Sequence, residues 1–258
     1  MRRISHALIL CLGLLPLALA WTTPAATAQG LTEAQRAEVV EVLRRALRDD
    51  PSILRDAIVA LQEAEDRDRS TAGRAAIVGQ ADALFADAAD PTRGNPRGDV
   101  TIVEFFDARC GFCKQLHPSL DALLRRDGNI RVVMKDLPVL GPNSQLAARA
   151  LLAAHRQGRY AALQDALLTL RGEPTEQVLQ DLARRIGLDW ARLRREMDDP
   201  AIARRIESNT RLAQSLGIQG TPALIVGGPG GPGAAVLVPG AVDLQQLERL
   251  VAEARGRR

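Results

Sequence analysis

The chain has 258 residues, 46% of them hydrophobic and 25% charged, enough for one sizeable domain with an accessory segment. A formal charge of +3 with only 3% aromatic residues offers neither a basic footprint nor stacking platforms, so nucleic acid is not an expected partner.

Residues 1–28 read as an export signal: Arg2 and Arg3 form a basic start, Ile9 to Ala20 are apolar, and Ala26-Thr27-Ala28 offers an A-x-A cleavage site before Gln29. The apolar run is too short to span a bilayer comfortably. Cleavage removes Cys11 and two arginines. It leaves 32 basic residues against 31 acidic ones, and only Cys110 and Cys113, a pair suited to an oxidising compartment such as the periplasm.

Residues 29–68 form an N-terminal helical segment. Val39, Val40, Leu43, Ala46 and Leu47, then Ile53, Leu54, Ala57, Ile58 and Leu61, recur at three-and-four spacing. Asp50-Pro51 between them reads as an N-cap and a first-turn proline, which makes two helices. Two short helices bury little alone, so their stripe needs the body of the protein or a second copy of itself. Residues 69–98 are expected to be a linker with a short helix. "EDRDRSTAGR" (65–74) is charged and small, a helical stretch falls near Ala75 to Ala88, and "DPTRGNPRGD" (90–99) is turn-rich.

The main domain occupies residues 99–258. A strand near Val100 to Phe106, a helix beginning at Cys110 and a second strand from Ile130 to Met134 give a β-α-β order compatible with parallel strands. From about residue 143 to 217 the pattern is helical, broken at Gly158, Gly172-Glu173-Pro174, Gly187 and Asp199-Pro200; this is an insertion between two halves of an α/β domain. "TPALIV" from Thr221, a Gly/Pro-rich loop, a strand near Ala235 to Val238 and a helix from Asp243 to about Arg255 complete the chain.

The chemistry centres on Cys110 and Cys113. Two thiols one turn apart at a helix N-terminus form an accessible disulfide, and the free N–H groups and dipole favour a thiolate on the first. In such motifs the pKa falls from about 8.5 to between ~3.5 and ~7.5. Cys110 is then the exposed attacker and Cys113 the deeper, resolving thiol. A zinc site needs two more ligands, and only His117 and His155 remain to supply them. A purely structural disulfide closing so short a loop stabilises little. His117 is a packing or helix-surface residue with no role assigned, and Lys114 is read as a surface lysine beside the thiols.

Glu104 lies inside the apolar run Ile102-Val103-Glu104-Phe105-Phe106, where a buried carboxylate holds its proton. Six residues before Cys110, it is placed to relay the proton of Cys113; the alternative is a strand-end glutamate reaching solvent. Thr221-Pro222 opens a strand after the long helical stretch, and taken alone it also fits a helix terminator with a trans bond.

The stretches "GDVTIVEFFDARCGFCK", "MKDLPVLGPNSQLAARALLAA", "GTPALIV" and "PGAVDLQQLERLV" resemble the DsbA-like thiol–disulfide oxidoreductases, over about residues 75 to 255. "LTEAQRAEVVEVLRRALRDDPSILRDAIVALQEAE" is similar to the N-terminal segment of the ScsC and BcfH-type members, which oligomerise through it. The resemblance implies an α/β thioredoxin fold with a helical insertion domain. It makes Cys110 the nucleophile, Cys113 the resolving thiol, Glu104 the buried acid and Pro222 a cis-proline facing the thiols, with Thr221 offering backbone groups to an extended client. Gly111-Phe112 and the threonine before the proline are closer to the isomerases of the family than to DsbA itself.

Two departures stand out: "GGPGGPG" lengthens a usually tight turn, leaving the register of that hairpin open, and Arg109 is expected to lower the thiolate pKa of Cys110 further. The expected function is disulfide exchange with cysteine-containing exported proteins, most of all isomerisation, with a membrane thiol–disulfide redox partner and no cofactor or metal. A homo-oligomer, dimer or trimer, is expected through residues 31–68. The alternatives are a DsbA-like dithiol oxidase and a periplasmic copper(I)-binding protein using the same two thiolates.

Overall fold

The structure, a computed structural model, describes residues 31–256, apart from the side chains of Asp66 and Arg69. The expected export signal and Cys11 lie outside the described residues. Among the described residues no helix is long and apolar enough to cross a membrane.

Two units divide between Ala60 and Leu61. In the first, α1 (Glu33–Asp49) opens on a capping box: the Gln35 N–H donates to Thr32 Oγ1, and the Thr32 N–H donates to Gln35 Oε1. The chain breaks at Asp50-Pro51, where Asp50 accepts the Ser52 N–H at 3.0 Å and starts α2 (Ser52–Gly79). No residue of α1 is buried, and Val39, Leu43 and Leu47 are exposed.

Within the second unit, α2 continues through "EDRDRSTAGR", which is helix rather than the expected linker. The stretch contains no proline, and its polar side chains pair one turn apart: Arg67 with Glu63 at 3.8 Å, and Arg74 with Ser70 at 3.1 Å. Ile77, buried, anchors its end. The separate helix expected near Ala75 to Ala88 is therefore the last turn of α2 followed by a π-helical turn, Asp82–Ala86. A further strand, β1 (Thr92–Gly94), lies in the segment expected to be turn-rich.

The remaining elements are β2 (Val100–Phe106), α3 (Gly111–Arg126), β3 (Ile130–Asp136), α4 (Pro142–Arg156), α5 (Tyr160–Leu168), α6 (Glu176–Arg185), α7 (Trp190–Met197), α8 (Pro200–Ser215), β4 (Ala223–Gly227), β5 (Val236–Pro239) and α9 (Leu244–Ala254). The sheet order is β1-β3-β2-β4-β5; β2 and β3 are parallel and the other neighbours antiparallel. Helices α4 to α8 form the insertion between β3 and β4. The Gly/Pro-rich loop holds a short 3-10 turn, Pro232–Ala234, and the register closes as Ala223 opposite Pro239 and Val226 opposite Val236. Gly228 in this loop admits no side chain, because a Cβ would collide with the Ala254 carbonyl group at the end of α9.

Alternation along β2 sorts its side chains onto two cores. Ile102 and Phe106 join Leu116, Leu120 and Leu123 of α3 and Leu247 and Val251 of α9. Val103 and Phe105 pack on the other side with Ile77, Leu84, Val133, Leu212 and Ile225. Glu104 shares the parity of Ile102 and Phe106, which places a carboxylate under α3. On the opposite face Lys135 is buried; its ammonium donates to the Ala83 carbonyl oxygen at 2.7 Å and to Asp90, which Arg205 also contacts at 2.9 Å. That network ties the π-helical turn and the approach to β1 onto β3.

Candidate active site

At the end of β2 the backbone turns on Asp107, which is buried. Its Oδ1 accepts the Arg109 N–H and the Ser144 hydroxyl, each at 2.8 Å; its Oδ2 accepts the N–H groups of Val139 and Leu140 at 2.9 and 3.1 Å. One carboxylate thus joins the loop before α3 to the loop after β3 and to α4. The Cys110 N–H donates to the Asp107 carbonyl oxygen at 3.0 Å, which sets Cys110 at the N-cap of α3. Asp107 carries no sequence signal beyond its place between a strand and a cysteine, and sequence reasoning passed over it.

Cys110 is 7% exposed, so the open attacker expected from the sequence is largely covered. Its thiol does not cap the helix; it donates to the Thr221 carbonyl oxygen at 3.2 Å. Cys113, one turn on, is fully buried, and burial pushes its thiol well up, with the Glu104 and Cys110 charges adding to the shift. Both cysteines are free thiols. Phe112 between them is exposed, as are Val139 and Leu140 in the loop that Asp107 holds.

The Thr221–Pro222 peptide bond is cis. Pro222 accepts the Gly240 N–H at 2.9 Å, and a groove of about 660 Å³ runs beside it, lined by Gln219, Gly220, Thr221, Pro222, Leu237 and Gly240.

The Arg109 guanidinium donates to the Leu140 carbonyl oxygen and to Glu173 at 2.6 Å. It thus forms an ion pair with a partly exposed carboxylate from the insertion. Lys114, expected at the surface, is half-buried and donates to the Leu170 carbonyl oxygen at 2.7 Å.

Glu104 is 2% exposed, and burial raises its carboxyl to about 7 against the pull of His117 and Arg93. Asp136, at the end of β3, is also raised by burial, to about 8; it accepts the Tyr160 hydroxyl at 2.9 Å. His117 is buried, with its Nε2 3.3 Å from Asp165 and 3.6 Å from Asp121. Arg93 from β1 reaches both carboxylates, at 2.7 Å to Asp121 and 2.9 Å to Asp165. Among the described residues His117, Asp121 and Asp165 are the one group able to present three metal-ligand atoms together. The Arg93 guanidinium supplies a positive charge to both aspartates of this group.

The sequence matches the DSBA-like thioredoxin domain over residues 101–252. A thioredoxin-like oxidoreductase from Silicibacter pomeroyi is 41% identical, with a TM-score of 0.63, covering 69% of this chain and 98% of that one. ScsC from Proteus mirabilis is 31% identical, also with a TM-score of 0.63, over 87% of this chain and 98% of its own. The Na(+)/H(+) antiporter NhaA 1 of Salinispora arenicola is 37% identical over 145 residues, which are 54% of this chain; the chain spans 22% of that much longer relative. With its match running from β2 into α9, this chain belongs to the family of DSBA-like thioredoxin domains.

Proposed function

We propose that the chain is an exported thiol–disulfide oxidoreductase that exchanges disulfides with protein clients through Cys110-Gly111-Phe112-Cys113, chiefly as an isomerase. The observation that carries the reading is the pairing of an N-cap thiol, held by the Thr221 carbonyl oxygen, with a fully buried second thiol one turn below it. In the first step the Cys110 thiolate attacks one sulfur of a client disulfide. That S–S bond breaks, a Cys110–client disulfide forms, and the second client sulfur leaves as a thiolate. If this thiolate attacks another client disulfide and a client thiolate then displaces Cys110, the client is repaired with no net electron transfer. If the intermediate stalls, Cys113 gives its proton to the Glu104 carboxylate and attacks the Cys110 sulfur. The client leaves as a thiolate, reduced by two electrons, and the enzyme becomes a disulfide that a membrane thiol–disulfide partner reduces again.

Thr221 and Pro222 take the client as an extended segment along the groove beside them, with Phe112, Val139 and Leu140 as an apolar rim. Export to the periplasm rests on the signal pattern of residues 1–28 and on a cysteine pair that works in an oxidising compartment. The exposed apolar residues of α1 support self-association through the N-terminal segment, which sets several thiol pairs around one client at high effective concentration. The buried position of Cys113 favours exchange over a copper(I) site, which needs both sulfurs open to the metal.

The test is reactivation of a scrambled-disulfide protein by the reduced enzyme. Recovery that disappears in Cys110→Ala supports isomerisation. Faster oxidation of a reduced client by the oxidised enzyme, without recovery of the scrambled one, assigns the dithiol oxidase instead.

A further inference from the structure

Resolution of the mixed disulfide requires a proton to leave a place that water does not reach. Cys113 is fully buried and Glu104 is 2% exposed, so a proton passed between them is still inside the protein. From there the titratable groups form a series of rising exposure. His117 is one turn beyond Cys113 on α3, buried and close enough for its charge to act on Glu104. Asp165 on α5, whose side chain is 47% exposed, meets His117 Nε2 at 3.3 Å. Imidazole can take a proton at one nitrogen and release one from the other.

We propose that His117 carries the proton of Cys113 from Glu104 to solvent, with Asp165 as the exit and Arg93 as the positioning residue that holds Asp165 against the imidazole. This rests on the exchange reading above. The charged groups facing His117 are Glu104 from β2, Arg93 from β1, Asp121 from its own helix and Asp165 from α5. The proton passes between two aspartates, and Arg93 balances their charge when it has left. Although partial burial pushes the Asp165 carboxyl up, His117 at 3.3 Å and the charge of Arg93 hold it below the ordinary carboxylate range. The relay moves the proton alone: the proton lost by Cys113 appears in water, while the electron pair of the broken Cys110–client bond leaves on the client thiolate as the Cys110–Cys113 bond forms.

The experiment is single-turnover reaction of the reduced full chain with a small disulfide-bonded peptide. It reads mixed-disulfide formation and client release separately across pH. Client release in His117→Gln is expected to slow at least about tenfold relative to mixed-disulfide formation, since a positioned proton-transfer group contributes ~10² or more. Its pH dependence changes, and added imidazole buffer restores part of the rate. Asp165→Asn, at a half-exposed position, shows the same selective slowing to a smaller extent, and it decides the matter if His117→Gln fails to fold. Release rates and pH profiles matching the wild type in the folded variants overturn the relay while leaving exchange intact. Failure of the wild type to form the mixed disulfide overturns the exchange reading and the relay with it.

Discussion

The Cys110 thiol donates to the Thr221 carbonyl oxygen across 3.2 Å, joining the first residue of the α3 cap to the loop that enters β4, 111 residues away. Cys110→Ser keeps a donor at that place and Cys110→Ala removes it. Both variants are expected to lose exchange, with the alanine variant less stable by about 1 kcal/mol, the usual net worth of one hydrogen bond. Urea midpoints of the two variants check this; identical midpoints contradict a stabilising contact.

Glu104 makes stability depend on pH. Its folded carboxyl lies near 7 against an ordinary 4.5, so folding takes up a proton between these values and stability falls as pH rises through that window. Above it, the buried carboxylate costs about 3 kcal/mol relative to the acid form. Glu104→Gln is expected to raise the urea midpoint clearly at pH 8 and hardly at pH 4, while slowing client release. An equal effect at both pH values contradicts the buried-acid account.

Much of this arrangement was legible in the sequence because it is local. The β2-α3-β3 unit was marked by period and by the cysteines, and the insertion by Gly158, Gly187 and Asp199-Pro200. The charged stretch at 65–74 misled because a solvated helix and a linker share the same composition; only the turn-spaced pairing of Glu63 with Arg67 tells them apart. Strand β1 is three residues long and exists through its pairing with β3, which no local pattern announces. His117 could not be told from a packing residue, since Asp165, 3.3 Å from its Nε2, comes from a distant element, as does the Arg93 that pairs with that aspartate. The ion pair of Arg109 was hidden for the same reason: Glu173 is 64 residues away.

Asp107 holds four donors from three segments. Asp107→Ala leaves the Val139 and Leu140 N–H groups and the Ser144 hydroxyl without their acceptor, at a cost of about 3 kcal/mol or more. The variant is expected to melt lower and to form mixed disulfides more slowly, as the loop carrying Cys110 loses its anchor. Calorimetry with a parallel exchange assay checks both; an unchanged melting temperature contradicts the anchoring role.

The N-terminal helices are expected to set the oligomeric state. Because Ile77 packs in the catalytic unit, the cut belongs at the division before Leu61 rather than later in α2. Removing residues 29–60 from the mature protein should leave a monomer by light scattering, with client disulfides still attacked but scrambled ones repaired less well. An unchanged mass contradicts assembly through this segment.

The central claim, that Cys110 attacks and Cys113 resolves, is tested most directly by intact-mass analysis of Cys113→Ala after exposure to a disulfide-bonded client peptide. The account predicts one adduct, on Cys110, that persists until an external thiol is added, and no comparable adduct on Cys113 in Cys110→Ala. Adduct formation through Cys113 at an equal rate, or none in Cys113→Ala, would contradict it.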